Sequence, residues 1–216
     1  MNLLTTKFFL SLAMLYFLFV IFPSTYSYTF FTLGFLYLNI GSLFVPFIYM
    51  FGDIITELYG TISFRRIALS AAAISLIFTA LTFLALKLIE HFAPSMYKVF
   101  SLIFQHNYRI IIGVFVGITL SSLLNSYILS YLSKKVRGKF FIFRSTLSSI
   151  IGELFESIIV GMIGFLFILP FISILEMAAS VMVYRIIASH LLSYPAKVIV
   201  VLVRKVDKIP EALLYQ

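Results

Sequence analysis

Residues 146–172 read TLSSIIGELFESIIVGMIGFLFILPFI, an almost wholly apolar run broken by two acids, Glu153 and Glu156. The run is longer than the ~20 apolar residues a helix needs to cross a hydrocarbon core. An ionised side chain at that depth costs at least ~2.5–3.5 kcal/mol, so acids retained there turn towards a bundle interior and mark a solute or ion path. The next apolar run carries Arg185. The stretch therefore predicts a polytopic membrane protein with a polar site in its core, and a transporter before an enzyme.

Composition agrees with this. Of the 216 residues, 62% are hydrophobic and 11% charged, where a soluble domain carries roughly 25% charged residues. A water-soluble globule of this composition would expose large apolar patches. Cysteine is absent, which removes disulfides, thiolate nucleophiles and Cys-ligated metal from consideration. The net charge of +8 lies in short segments between apolar runs. That pattern fits positive-inside topology and contact with anionic lipid, and not a nucleic-acid-binding face.

Six apolar runs are long enough to span: roughly Leu3–Phe22, Phe30–Phe51, Ile67–Ile89, Ile110–Leu132, Thr146–Ile172 and Ala178–Val203. The first is read as a retained helix, because Thr25-Tyr26-Ser27 makes a poor signal-peptide cleavage site. With six spans, one side holds Lys7, Arg65, Arg66, Lys134, Lys135, Arg137, Lys139, Arg144, Lys197, Arg204, Lys205 and Lys208, and the other only Lys87, Lys98 and Arg109. Both termini are therefore expected on the cytoplasmic side. The expected fold class is an all-α integral membrane protein, one six-helix domain over residues 1–216, in the cell (inner) membrane.

Glu153 and Glu156 are three apart and share a helix face. Ser149 and Ser157 flank Glu153 at four-residue spacing. At 1.5 Å per residue, Glu156 lies about 15 Å from a helix start near Thr146, while Arg185 enters from the opposite side to about 10 Å depth. The two are expected to meet. Two poorly hydrated carboxylates repel unless a proton or a cation intervenes, and one arginine does not obviously neutralise both. The bland reading, a buried Glu–Arg pair that only fixes helix register, explains Glu153 poorly.

A second acid pair, Asp53 and Glu57, ends the second run four residues apart, shortly after Pro46 and before Arg65 and Arg66. It reads either as part of the site or as an interfacial pair answering those arginines. Gly113, Gly117, Ser121 and Asn125 recur every four residues on the fourth run, a face that permits close helix approach and ends in a hydrogen-bonding side chain. His91, His106 and His190 are scattered, and the first two fall in an outer loop. No metal-ligand spacing occurs and no cofactor is implied. GxxxxGK[ST] and GxSxG motifs are absent from the sequence, and nothing points to an enzyme.

The stretch VPFIYMFGDIITELYGTISFRRIALS (45–70) resembles the signature of the queuosine precursor transporter family, also called the vitamin uptake transporter family. Three later stretches agree in order and spacing: LLNSYILSYLSKKVRG, FFIFRSTLSSIIGELFESIIVGMIGF and VYRIIASHLLSYP. The resemblance covers most of the chain beyond residue 40. It implies a six-helix importer of 7-deazaguanines (preQ0, preQ1 or queuine) destined for a modified tRNA nucleoside. Asp53 matches the family acid, and Glu57 an acid that many members carry. Asn125 stands where members commonly have Asp, Glu153 where an amide is usual, Glu156 in place of an Asp, and Arg185 in place of a Lys. These departures keep polarity while changing length and charge.

The chemistry is compatible. A deazaguanine edge offers adjacent N–H and NH2 donors that one carboxylate accepts together, and such contacts are strong in a dry site. On this reading Glu153, Glu156 and Asn125 read the base, Asp53 and Glu57 form a gate or a second contact, and Arg185 organises the acids. Alternatives are a membrane component that captures another vitamin or nucleobase for a separate ATPase, a proton-coupled carrier, and a structural membrane protein whose acids only pair helices.

Overall fold

The computed structural model describes residues 8–26, 30–34, 36–104, 108–166 and 170–207. Helix α1 (Phe9–Tyr26) leads into a short antiparallel hairpin, β1 (Phe30–Leu33) and β2 (Leu36–Asn39). Then follow α2 (Ile40–Phe92), α3 (Pro94–Phe104), α4 (Tyr108–Lys135), α5 (Phe141–Val160), a π-helical turn (Gly161–Phe165) and α6 (Phe171–Val206). Among the described residues, four helical segments are long and apolar enough to cross a membrane, namely Ile40–Phe92, Arg109–Lys135, Phe141–Phe165 and Phe171–Val206, with a shorter apolar segment Phe9–Pro23. Apart from the hairpin, the described residues form an all-α membrane protein.

Two boundaries differ from the sequence expectation. The second apolar run was expected from Phe30, but residues 30–39 pair as the hairpin, with Gly34 at φ 61 in its connection. The helix starts only at Ile40, where Asn39 caps it. The Asn39 Oδ1 accepts from the Ser42 amide at 2.7 Å, and Ser42 Oγ donates back to the Asn39 carbonyl at 2.7 Å. That exchange satisfies otherwise orphaned helix-terminal groups.

The second and third runs are not separated by a loop. They lie in one 53-residue element broken at Gly60, whose φ of 84 and ψ of 164 are non-helical. A side chain is strongly disfavoured at that φ, so glycine allows a sharp change of direction in a single residue. The fifth and sixth runs part at Pro170, which precedes α6 and cannot continue the helix before it. The π turn ends at Phe165, and the guanidinium of Arg109 donates to the Leu166 carbonyl at 3.0 Å, satisfying a terminal acceptor. Residues 3–7 of the first run, and His106, lie outside the described residues.

The distribution of polarity is inverted relative to a soluble domain. Leu10, Ile77, Leu81, Leu191 and many other large apolar side chains are exposed, while Asp53, Glu57, Asn125, Arg144, Glu153, Glu156 and Arg185 are buried. Lipid in place of water explains both halves of this pattern. Helix α1 packs on α2 through rings. Tyr16 meets Phe64 edge-on at 5.3 Å, and Phe19 stacks on Phe47 at 4.9 Å.

Helices α4 and α5 approach through small residues. A Cβ at Gly117 would lie 3.0 Å from Val160 Cγ2 and 3.4 Å from the Glu156 carbonyl oxygen. A Cβ at Gly152 would lie 2.8 Å from a ring carbon of Tyr49 and 3.1 Å from Asn125 Cβ. The four-residue stripe read from α4 is thus a packing face, and it brings Ser121 and Asn125 against α5. Overpacking such a contact costs about 1–3 kcal/mol. Gly152→Ala is expected to lower the melting temperature of the detergent-purified protein by several degrees. An unchanged melting temperature would show that the helices are not this close.

Candidate functional site

The buried polar groups form three knots. The first joins α5 to α6, α2 and α4. Arg185 Nη2 donates to Glu156 Oε1 at 3.1 Å, so the pair expected from depth arithmetic does meet. Arg185 Nη1 lies 3.4 Å from Ser157 Oγ. The Tyr49 hydroxyl of α2 sits within reach of Glu156 Oε2 at 3.2 Å and Ser121 Oγ of α4 at 2.7 Å. Glu153, fully buried one turn earlier on α5, accepts from Ser189 Oγ of α6 at 2.5 Å.

The second knot surrounds Asp53 of α2. Asn125 Nδ2 of α4 donates to Asp53 Oδ1 at 2.6 Å, Ser145 Oγ of α5 donates to Oδ2, and Ser149 Oγ lies 3.4 Å from the same oxygen. Three helices therefore converge on one carboxylate, and Ser149 belongs to Asp53 instead of supporting Glu153. One turn further along α2, Thr56 shares a hydrogen bond of 2.8 Å with Ser126, the residue after Asn125 on α4.

The third knot lies at the end of the fold where α5 begins and α6 terminates. Arg144, fully buried, makes a bidentate contact to Glu57 at 2.9 and 3.0 Å. Its Nε donates to the Lys139 carbonyl at 2.8 Å and Nη2 to the Gly138 carbonyl at 3.0 Å. Arg204 of α6 approaches Glu57 Oε1 at 3.9 Å, and the Tyr59 hydroxyl donates to Asp207 at 3.2 Å.

This corrects the sequence reading at one point. Glu57 does not answer Arg65 and Arg66, which are exposed. Its partner is Arg144, which charge counting assigned to a loop. The available signal was Phe141, three residues before it on the same helix face, whose buried ring lies 5.7 Å from the Arg144 guanidinium. Tyr49 and Ser145 were also missed, since a single hydroxyl in an apolar helix carries no distinguishing spacing, whereas Ser189 follows Arg185 by four residues and shares its face.

The six residues expected to carry the site divide among these knots: Glu153, Glu156 and Arg185 in the first, Asp53 and Asn125 in the second, Glu57 in the third. Tyr49 and Gly152 stand between the first two knots, so these adjoin. His190 is exposed, 3.4 Å from Thr146 Oγ1, and His91 is exposed beside Phe92.

Four buried acids (Asp53, Glu57, Glu153, Glu156) face two buried arginines (Arg144, Arg185) among the described residues. Glu153 Oε2, Asn125 Oδ1 and Arg185 Nε are buried with no hydrogen-bond partner among the described residues. Two orphaned acceptors and an excess of acid call for donors and positive charge. A cavity of about 60 Å³ adjoins this region, bordered by Glu156, Ser157 and Arg185 together with apolar residues of α2, α4 and α6. Sites for small organic ligands are typically ~300–1,000 Å³, so this cavity is too small to hold one without some separation of the helices.

Removing one partner of a buried ion pair costs about 3–5 kcal/mol, because the other charge is left uncompensated. Arg144→Leu and Glu57→Leu are each expected to destabilise the purified protein strongly, and the double variant less than the sum of the two. Additive losses in a double-mutant thermal melt would show that the pair does not couple.

A family model described as "Putative vitamin uptake transporter" matches residues 39–200. No curated protein and no solved structure matches the chain.

Proposed function

The chain belongs to the vitamin uptake transporter family, and from that premise we propose that it imports queuosine precursors, 7-deazaguanines such as queuine, preQ1 or preQ0, across the cell's inner membrane. The observation that carries this reading is the pair of buried, unpartnered acceptors, Glu153 Oε2 and Asn125 Oδ1, in a region already short of positive charge. A deazaguanine presents N–H and NH2 donors of the kind each of these acceptors lacks. The aminomethyl group of preQ1 is a cation and offsets part of the acidic excess.

In this reading Arg185 holds Glu156 at the mouth of the small cavity, and Tyr49 fixes the second oxygen of the same carboxylate. Glu153 and Asn125, which do not line that cavity, read the base once the helices part. Asp53 ties α2 to α4 and α5 around the substrate. The Glu57–Arg144 knot closes the basic end as a gate. Six crossings result if the two arms of α2, divided at Gly60, cross separately and α1 crosses as well. Both termini then face the cytoplasm, with the excess of lysine and arginine beside them.

Uptake of labelled queuine or preQ1 by cells unable to make it is expected to vanish in Glu156→Ala and to fall at least tenfold in Glu153→Gln, at equal expression. Undiminished uptake in both would overturn the assignment. A deazaguanine at a hundredfold its Kd is expected to stabilise the purified protein by about 2.7 kcal/mol. A thermal panel in which deazapurines do nothing while another vitamin raises the melting temperature would transfer the site to that vitamin.

A further inference from the structure

A second cavity, about 660 Å³, opens between the start of α5 and the end of α6. Two helical stripes form its walls. On α5, Phe143, Thr146, Leu147 and Ile150 follow the i, i+3, i+4, i+7 spacing of one face, and on α6, His190, Lys197, Val201 and Arg204 recur at two-turn and one-turn intervals. The groove therefore runs along the helices, apolar on the α5 wall and basic on the α6 wall.

The charge in it is unbalanced towards positive. Glu57 lines its inner end, but the bidentate contact from Arg144 neutralises that carboxylate. Lys197 is exposed, and Arg204 shares Glu57 with Arg144 at 3.9 Å, so three cations stand around this one carboxylate. The rim is apolar and outward-facing: Phe140 is 71% exposed, Phe143 64% and Val201 43%. A soluble anion would leave this rim uncovered, whereas a molecule with an anionic head and a hydrocarbon tail satisfies both parts. Basic pockets between membrane helices are suited to anionic head groups, and lysine and arginine together supply point-charge and forked donors for a phosphate.

We propose that this groove is a binding site for an anionic phospholipid, its phosphate held by Lys197 and Arg204 and one acyl chain laid along Phe143 and Ile150. The site is separate from the cavity beside Glu156 and Arg185, and its test does not depend on what the protein carries.

The experiment uses the full chain purified in detergent and titrated with phosphatidylglycerol or phosphatidylcholine of identical acyl chains, read by native mass spectrometry and by thermal melting. Phosphatidylglycerol is expected to leave one retained copy and raise the melting temperature, and phosphatidylcholine to do neither. Lys197→Gln, at an exposed position where folding is not at risk, is expected to weaken apparent affinity at least threefold. Ile150→Trp keeps both cations and fills the groove, and is expected to abolish the retained copy. Equal retention of both lipids, or wild-type retention in both variants, would overturn the proposal. So would equal stabilisation by glycerol 3-phosphate alone, which would make the groove a site for soluble phosphate.

Discussion

An arginine withdrawn from water must find its counter-charge inside the protein, and in this chain that requirement fixes where the helices meet. Arg144 cannot be buried unless Glu57 of α2 and the carbonyls of Gly138 and Lys139 stand around it. Arg185 needs Glu156 in the same way. One ion pair joins α5 to the distant α2 and the other joins it to its successor α6, so both pass through α5. Buried pairs of this kind contribute little net stability compared with apolar packing, but they penalise every alternative register in which a charge is left alone.

Dense packing makes these contacts possible. Carboxylates and guanidinium groups on different helices reach hydrogen-bonding distance only if the backbones are close, and the glycines of α4 and α5 permit that. Gly117 lies where a side chain would strike Val160 and Glu156, and Gly152 where one would strike the Tyr49 ring and Asn125. The same approach brings Ser121, Asn125, Ser145 and Ser149 within reach of Tyr49 and Asp53. The small-residue face and the polar site are therefore one feature seen from two sides.

Much of this was legible in the residues. Two glutamates three apart in a long apolar run, with an arginine at matching depth in the next, are enough to place a polar pair inside a bundle, because the helical rise and the cost of buried charge leave few other arrangements. The α4 stripe was legible for the same reason of period. Arg144 was not. Charge counting treats every arginine near a basic loop as interfacial, and burial depends on partners contributed from elsewhere in the chain. The hairpin at residues 30–39 was hidden because an apolar run of ten residues has no strong period, and the start of α2 depends on Asn39 capping the helix. The continuity of α2 was hidden because a glycine at positive φ bends a helix within one residue, where hydropathy leads one to expect a connecting loop.

The balance of charge also constrains what the interior accepts. With four buried acids against two buried arginines, a ligand without positive charge or donors would add desolvated groups without satisfying the orphaned oxygens of Glu153 and Asn125. A ligand rich in donors does the opposite, and so does a proton. The cavity beside Glu156 is too small to hold such a ligand as it stands, so admission requires the helices to separate. Gly60 is the place where α2 can change direction without distorting a helix, and Glu57, three residues before it, is tied to Arg144. Movement of the α2 arm about Gly60 would thus act directly on that ion pair. Breaking it exposes two charges, which only water entering from the basic end can solvate. On the proposed gate reading, opening towards that end would therefore be coupled to hydration of the Glu57–Arg144 knot, while the Glu156–Arg185 pair, on the other side of Asp53, would stay intact.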